Sequence, residues 1–406
     1  MTTVLDLLTE PISTTAAYLD LREKIRKELP DVVAAHREEM VIERKLPTAV
    51  VHKLRALQVF SIAKPTDMGG LGLSSPEQND IVESISRIDA SVGWCVMIGI
   101  DSGIYSGYLD DPHHDYFDQP NLISAGWIHP QGSAIQHGDR IEFSGNWQFG
   151  SGIDHADRVM AGVKLYDSRE DLDYKTERWQ WRILAAHPHD FRVLDTWYTT
   201  GLEGSGSRHY TTRAETASVP ISRSMSFDMP LRQGPLYTGR DAILRKMPGV
   251  PLGIAISAFE LALEKAQPKY AEQNEDRALL EQRIGDLYSR LYTARAAVHS
   301  SLEHQWAAAN DPAKRDALHT AVVGAAIARQ NAFRVARDIV RESYDITGGR
   351  AIYKDHSRYS IDQMLRDIET VNQHAVAQDA IVRSTGQLAL SGATTNPFLS
   401  RDETQK

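Results

Sequence analysis

A chain of 406 residues is long enough for two or three units with buried cores, and its net charge of -9 leaves no basic footprint for nucleic acid. One cysteine, Cys95, excludes an internal disulfide and a cysteine-based metal cluster, as suits a reducing compartment. No uninterrupted apolar run reaches the roughly 18 residues a bilayer requires. Met1 to Pro11 carries Asp6 and Glu10 with no basic region, so a soluble, cytoplasmic protein with no membrane partner is expected.

Residues from about 14 to 118 read as helical. Leu54, Leu57, Val59 and Phe60 form an apolar stripe after Pro47, a residue suited to a helix N-terminus. Met68 to Leu73 breaks the pattern with three glycines, and Ser75-Pro76-Glu77 restarts a helix through Ile81, Ile85 and Ile88. Asp89-Ala90-Ser91 then opens the apolar run Val92 to Ile100, long enough for a buried helix. From about 119 to 225 short β-branched stretches replace helical spacing: Ile141 to Ser144, Arg158 to Leu165, Trp181 to Leu184 and Thr211 to Val219. Bounded by turn residues, they predict an antiparallel β-domain. After Pro230, Ile284, Leu287, Tyr288, Leu291 and Val298 recur at three and four residues, as do Val322, Ala325, Ala326, Ala332, Phe333 and Ala336. A third helical segment is expected from Ser360 toward Leu390. The pattern therefore predicts an α+β chain: an N-terminal helical domain over 1–118, a β-domain over 119–225 and a C-terminal helical bundle over 226–406.

Local motifs then resemble one superfamily in the same order. Pro65-Thr66-Asp67-Met68-Gly69-Gly70-Leu71-Gly72 is similar to a Pro-x-x-x-Gly-Gly-x-Gly loop of the acyl-CoA dehydrogenase superfamily. Ser124 to Ala134 resembles its segment lining the flavin ring, and Gly201 to Ser207 its Gly-x-x-Gly-Thr-Gly-Ser turn, with Ser205 in place of threonine. Thr347-Gly348-Gly349 followed by Leu365-Arg366-Asp367-Ile368 resembles its C-terminal signature. In the dehydrogenases a catalytic glutamate lies about eight residues after that Arg-Asp pair; here the position is Ala375, with His374 beside it. The alternative base position falls near Ile243. A dehydrogenase needs a carboxylate to take the substrate's α-proton, and neither residue can do so. Ser144 to Gly152, ending in Ser151-Gly152, is similar instead to the flavin-dependent monooxygenases of the two-component type.

That resemblance implies reduced FMN or FAD as a diffusible cofactor, O2 as co-substrate, and a C4a-hydroperoxyflavin that oxygenates a small aromatic or indole-like molecule. It implies a separate flavin reductase consuming NAD(P)H, and a homotetramer. By the same resemblance Ser151 stands near flavin N5 and His374 serves as catalytic acid/base or polarises the distal peroxide. Trp127, Ile128, His129, Pro130 and Trp197 line the flavin, Gly348 and Gly349 approach its phosphate from a neighbouring subunit, and Trp94, Trp127 and His374 meet the substrate. Other readings stay open: Ser151 as a turn hydroxyl, His374 as packing, the tryptophans as ordinary core, Gly348-Gly349 as a helix stop. Arg366 reads as a structural ion pair with Asp367 or a neighbouring helix. An acyl-CoA dehydrogenase or oxidase with a displaced base and a non-catalytic scaffold are the rival functions. No metal is expected: His113-His114 and His187-Pro188-His189 match no zinc spacing.

Overall fold

The computed structural model describes residues 4–109, 119–271 and 277–400; His113 and His114 lie outside the described residues. Helices occupy the chain to Tyr105, strands run from Ser124 to Met225, and long helices begin at Gly249. In the helix Ala16–Ala35, Tyr18, Leu21, Ile25, Leu29 and Val33 are buried, the spacing of one face. Pro47 precedes the helix Thr48–Ala56, but that helix stops short of Leu57. Gln58 takes φ 60°, and Val59–Ser61 form a separate 3-10 turn, so the expected single stripe is two elements that share the core. Asp89 caps the helix Ala90–Gly99, accepting from the N–H groups of Ser91 and Val92 at 2.9 and 3.3 Å. Apolar all round, this helix is buried in the middle of the fold.

Among the described residues nine strands follow: β1 (Ser124–His137), β2 (Arg140–Ser144), β3 (Asn146–Gly150), β4 (Arg158–Tyr166), β5 (Trp179–Ala186), β6 (Phe191–Val193), β7 (Arg208–Thr212), β8 (Ala217–Pro220) and β9 (Ser224–Met225). They form a six-stranded sheet, order β8-β2-β1-β4-β5-β9, and a three-stranded sheet, order β3-β7-β6. The expected all-antiparallel arrangement needs correction, because β1 and β4 pair in parallel. Between them the chain makes the β1–β2 hairpin, crosses to the second sheet as β3, and re-enters beside β1 in the same direction. Thr211 to Val219, expected as one strand, divides between the two sheets as β7 and β8. Trp147 packs between the sheets, stacked on Tyr210 at 5.4 Å, with its N–H donating to the Gly162 carbonyl at 2.8 Å.

The helices Gly249–Ala271, Arg277–Asn310 and Arg315–Thr347 pack together as the bundle. Leu287, Leu291 and Val298 are buried from one helix, and Ala325, Ala326, Ala332, Phe333 and Ala336 from the next. Segment Ala242–Ala271 is long and apolar enough by composition to cross a membrane, yet 83% of its apolar window is buried in the fold. The segment expected as one helix from Ser360 toward Leu390 breaks into Ile361–Val371, the turn Ala375–Ala377, and Ala380–Ser391. Asn372 causes the break. Its side-chain amide donates back to the Ile368 carbonyl at 2.9 Å, while its own carbonyl accepts from Gln378 at 2.9 Å. His374 therefore stands in a helix break and not in mid-helix.

Candidate active site

Ser151 closes a strained turn after β3. Phe149 holds φ 58° and Gly152 φ 72°, and the Ser151 N–H donates to the Phe149 carbonyl at 2.9 Å. The turn aims a buried hydroxyl inward, where the Trp94 indole N–H donates to Ser151 Oγ at 2.9 Å. Ser151 Oγ also lies 2.7 Å from Ser207 Oγ, which lies 2.8 Å from Ser205 Oγ. Trp94 can only donate, so one lone pair of Ser151 is always taken. If Ser151 donates to Ser207, its second lone pair is free to accept an N–H from a bound ring. If Ser207 donates instead, the Ser151 proton is free. The three hydroxyls form a line that can run either way.

Aromatic rings stand on the other side of the turn. Phe149, 45% exposed, lies 5.8 Å from the Trp127 ring, 6.5 Å from Trp197 and 5.7 Å from His209. Trp197 is anchored by its N–H to the Leu202 carbonyl at 3.0 Å. The β1–β4 register shifts between Trp127 and Gly132, so Ile128 to Gln131 bulge out of the paired ladder. The Trp127 backbone N–H is already bound by the Tyr210 hydroxyl at 2.6 Å, and the Ile128 carbonyl accepts from Trp181 at 2.7 Å. In the rest of the bulge His129 is exposed. Trp127 Nε1 is buried with no partner. An orphaned indole N–H, a backbone bulge outside the strand ladder and an open aromatic wall are compatible with a flavin ring.

His374 meets the same cluster from the bundle side, its ring edge-on to Trp94 at 5.6 Å. Its Nδ1 accepts from the Val376 N–H at 3.3 Å, which leaves the proton of the neutral ring on Nε2. Burial, and then the charge of Arg329, push its pKa down to about 4. The imidazole is neutral through the ordinary pH range, a donor at Nε2 with no basic nitrogen free.

The two halves are clamped at Gly201, where an added Cβ would lie 2.2 Å from the Arg366 carbonyl oxygen. This close approach lets the Leu202 N–H donate to Asp367 at 2.6 Å, while Arg366 pairs with Glu203 at 2.6 Å and Asp362 at 3.0 Å. Arg366 thus ties the bundle to the β-domain turn and makes no pair with Asp367. Gly348 and Gly349 stand elsewhere, beside a cleft of about 300 Å³ whose lining includes Lys265, Arg350, Asp355 and Arg358. Nothing comes within 4 Å of a Cβ built on either glycine, so only the φ 72° of Gly348 favours glycine in one chain.

Of the residues expected at the site, Ser151, Trp94 and His374 form one connected line, with Trp127 and Trp197 joined through Phe149. Sequence reasoning missed Ser205 and Ser207 as hydroxyl partners, Phe149 as the exposed ring, and Arg329. Arg329 carried a signal: a cation three or four residues from Ala325, Ala326, Ala332 and Phe333 falls on the buried stripe. Among the described residues one group has metal-ligand chemistry, Asp80, Glu83 and His299. Arg295 and Arg22 already hold its carboxylates at 2.7–2.9 Å, so its charge is met without a cation.

Residues 15–110 match the acyl-CoA dehydrogenase N-terminal domain and residues 248–379 the acyl-CoA dehydrogenase C-terminal domain. The chain is 25% identical to indole-3-acetate monooxygenase of Pseudomonas putida, over 85% of this chain and 87% of that protein. Among solved structures, 3-HSA hydroxylase from Rhodococcus sp. RHA1 superimposes with a TM-score of 0.82 at 16% identity, covering 95% of this chain and 99% of that one. XiaF from Streptomyces sp., in complex with FADH2 and glycerol, gives 0.80 at 21% identity, covering 92% and 97%.

Proposed function

We propose that this chain, which has the acyl-CoA dehydrogenase-like fold and is homologous to oxygenase components of two-component flavin-dependent monooxygenases, oxygenates a small aromatic or indole-like molecule. Reduced FMN or FAD supplied by a separate flavin reductase furnishes, when bound, the two electrons by which O2 gives one oxygen atom to substrate and one to water. The observation that carries this reading is the Ser151–Trp94–His374 line, which contains no carboxylate. Abstraction of an α-proton from an acyl thioester needs a carboxylate base, and the two positions where one is expected hold Ala375 and Ile243.

Each residue has a task that its geometry supports. Ser151 keeps a lone pair for a ring N–H when its own O–H donates to Ser207. The bulge at Ile128, His129 and Pro130 offers backbone contacts to the ring, while Trp127, Phe149 and Trp197 exclude water from its face. His374 acts as a hydrogen-bond donor from Nε2 toward substrate or oxygen, since its Nδ1 is occupied and its basicity is low. Trp94 fixes both, holding Ser151 by its N–H and His374 by its ring. We place the unit boundaries at 118 and 225, the protein in the cytoplasm, and Gly348-Gly349 against a neighbouring subunit's flavin in a homotetramer.

A single turnover tests the reading. Pure protein mixed with reduced FMN or FAD, isotopically labelled O2 and indole-3-acetate should yield a product carrying one labelled oxygen. Ser151→Ala should bind reduced flavin but raise hydrogen peroxide per product about tenfold, the scale of one lost hydrogen bond. Unchanged coupling returns Ser151 to a turn role. Anaerobic reduction of bound FAD by an acyl-CoA would establish the dehydrogenase, and absence of any flavin affinity the scaffold.

A further inference from the structure

Arg329 sits in the middle of the buried alanine stripe of helix Arg315–Thr347 and is 2% exposed. A guanidinium there is expensive unless it is paired. Its Nε and Nη2 are both buried without a hydrogen-bond partner. The acid whose charge reaches it, Asp241, is already engaged by Arg245 at 2.9 Å and by Gln305 at 2.8 Å. One carboxylate therefore faces two arginines, and the pocket keeps a positive charge. Burial lowers the Arg329 pKa only to about 10, so the side chain is a cation at neutral pH. Nε and Nη2 share one edge of the guanidinium, the edge that holds a carboxylate through two parallel hydrogen bonds. The same helix packs against the turn Ala375–Ala377, and the Arg329 charge is felt at His374. Arg329 and His374 thus stand on elements that pack against each other, close enough for one charge to act on the other.

We propose that Arg329 recognises an anionic group of the substrate, so that the molecule oxygenated is an aromatic acid bound through its carboxylate. This rests on the oxygenase reading above and narrows its substrate class. The substrate's anion supplies the charge the fold leaves unmatched, and it directs the ring toward the Trp94–His374 edge. A buried water linking Arg329 to Gln305 Oε1, itself without a partner, is the competing arrangement. It gives no preference between an acid and its amide.

The test is binding of matched pairs, indole-3-acetate against indole-3-acetamide and 4-hydroxyphenylacetate against its amide, by equilibrium dialysis on full-length protein. At least one acid should bind roughly 10- to 100-fold tighter than its amide, the scale of hydrogen bonds to a charged group. Arg329→Met should lose that preference while its affinity for the amide stays unchanged, and Arg329→Lys should retain part of it as a single point charge. Equal affinities in the wild type, no binding of either acid, or a preference that survives in Arg329→Met overturns the proposal. Because removal of an unpaired buried cation does not destabilise, Arg329→Met should melt no lower than wild type without ligand. If that variant fails to fold, the wild-type acid–amide comparison alone decides. Oxygen transfer is read separately. Protein that binds the acid but transfers no labelled oxygen upholds the anion site and overturns the oxygenase reading, whereas oxygenation of the amide as readily as the acid does the reverse.

Discussion

His374 and His155 show how far a side chain's chemistry departs from its ordinary range when its surroundings are decided elsewhere. Burial lowers both pKa values to about 4, helped by Arg329 at His374 and by Arg55 at His155, where Asp157 opposes it in part. Neither ring nitrogen of His155 has a partner. In the unfolded chain both titrate near 6.5, so between about 6.5 and 4 the unfolded state binds more protons. Stability contributed by the neutral rings is present above 6.5 and is lost as pH falls toward 4. Urea unfolding should show this slope, and His374→Gln and His155→Gln should each flatten it. The pH profile of product formation should carry no inflection near 6.5 from His374; one that disappears in His374→Gln would show that the ring titrates in the working enzyme. Histidine as a residue of interest was legible from its place beside Ala375. Its protonation was not, because burial and then Arg329 lower its pKa and the Val376 N–H fixes its tautomer.

At the scale of elements, the join between the Gly201–Ser207 turn and helix Ile361–Val371 governs the site. Two close approaches make it: Gly201 against the Arg366 carbonyl, and Leu202 N–H against Asp367. Gly201→Val must push these backbones apart, at a cost of about 1–3 kcal/mol, and should weaken flavin binding because Ser205 and Ser207 follow on the same turn. Chemical denaturation and flavin titration check this, and wild-type values in both would show that the join is slack. The helices were readable where a cap marked the start, as at Asp89, or where apolar spacing marked a face, as along the alanine stripe. They were misread where a local hydrogen bond outweighed periodicity, as Asn372 does. Strand direction was misread for another reason: alternation reports which face a residue occupies, and says nothing of which neighbour the strand selects.

For the whole molecule, apolar groups remain on the outside of the bundle. Leu390 is 91% exposed, and Ile352 and Tyr353 are 65% and 70% exposed directly after Gly348-Gly349. Exposed apolar groups favour the association proposed above. Sedimentation should give a species larger than a monomer, and Ile352→Asp combined with Tyr353→Asp should shrink it and reduce flavin affinity together. A wild-type monomer at micromolar concentration would sink the tetramer, and loss of assembly with full flavin affinity would remove Gly348 and Gly349 from the cofactor site.

Local sequence determined the order of helical, β and helical layers, because periodicity is a property of neighbouring residues. The alanine at 375 was also legible in the chain, though only the resemblance to the acyl-CoA dehydrogenases made it a missing carboxylate. Only the tertiary structure decided what the polar groups do. Ser151 is joined to Ser207 across 56 residues and to Trp94 across 57. Arg329 Nε and Nη2 lack a hydrogen-bond partner, while Arg245 and Gln305 hold Asp241. Hydrogen bonds and charges saturate, so the state of each group depends on which competitors the fold brings within reach, and that competition is invisible until the chain has closed on itself.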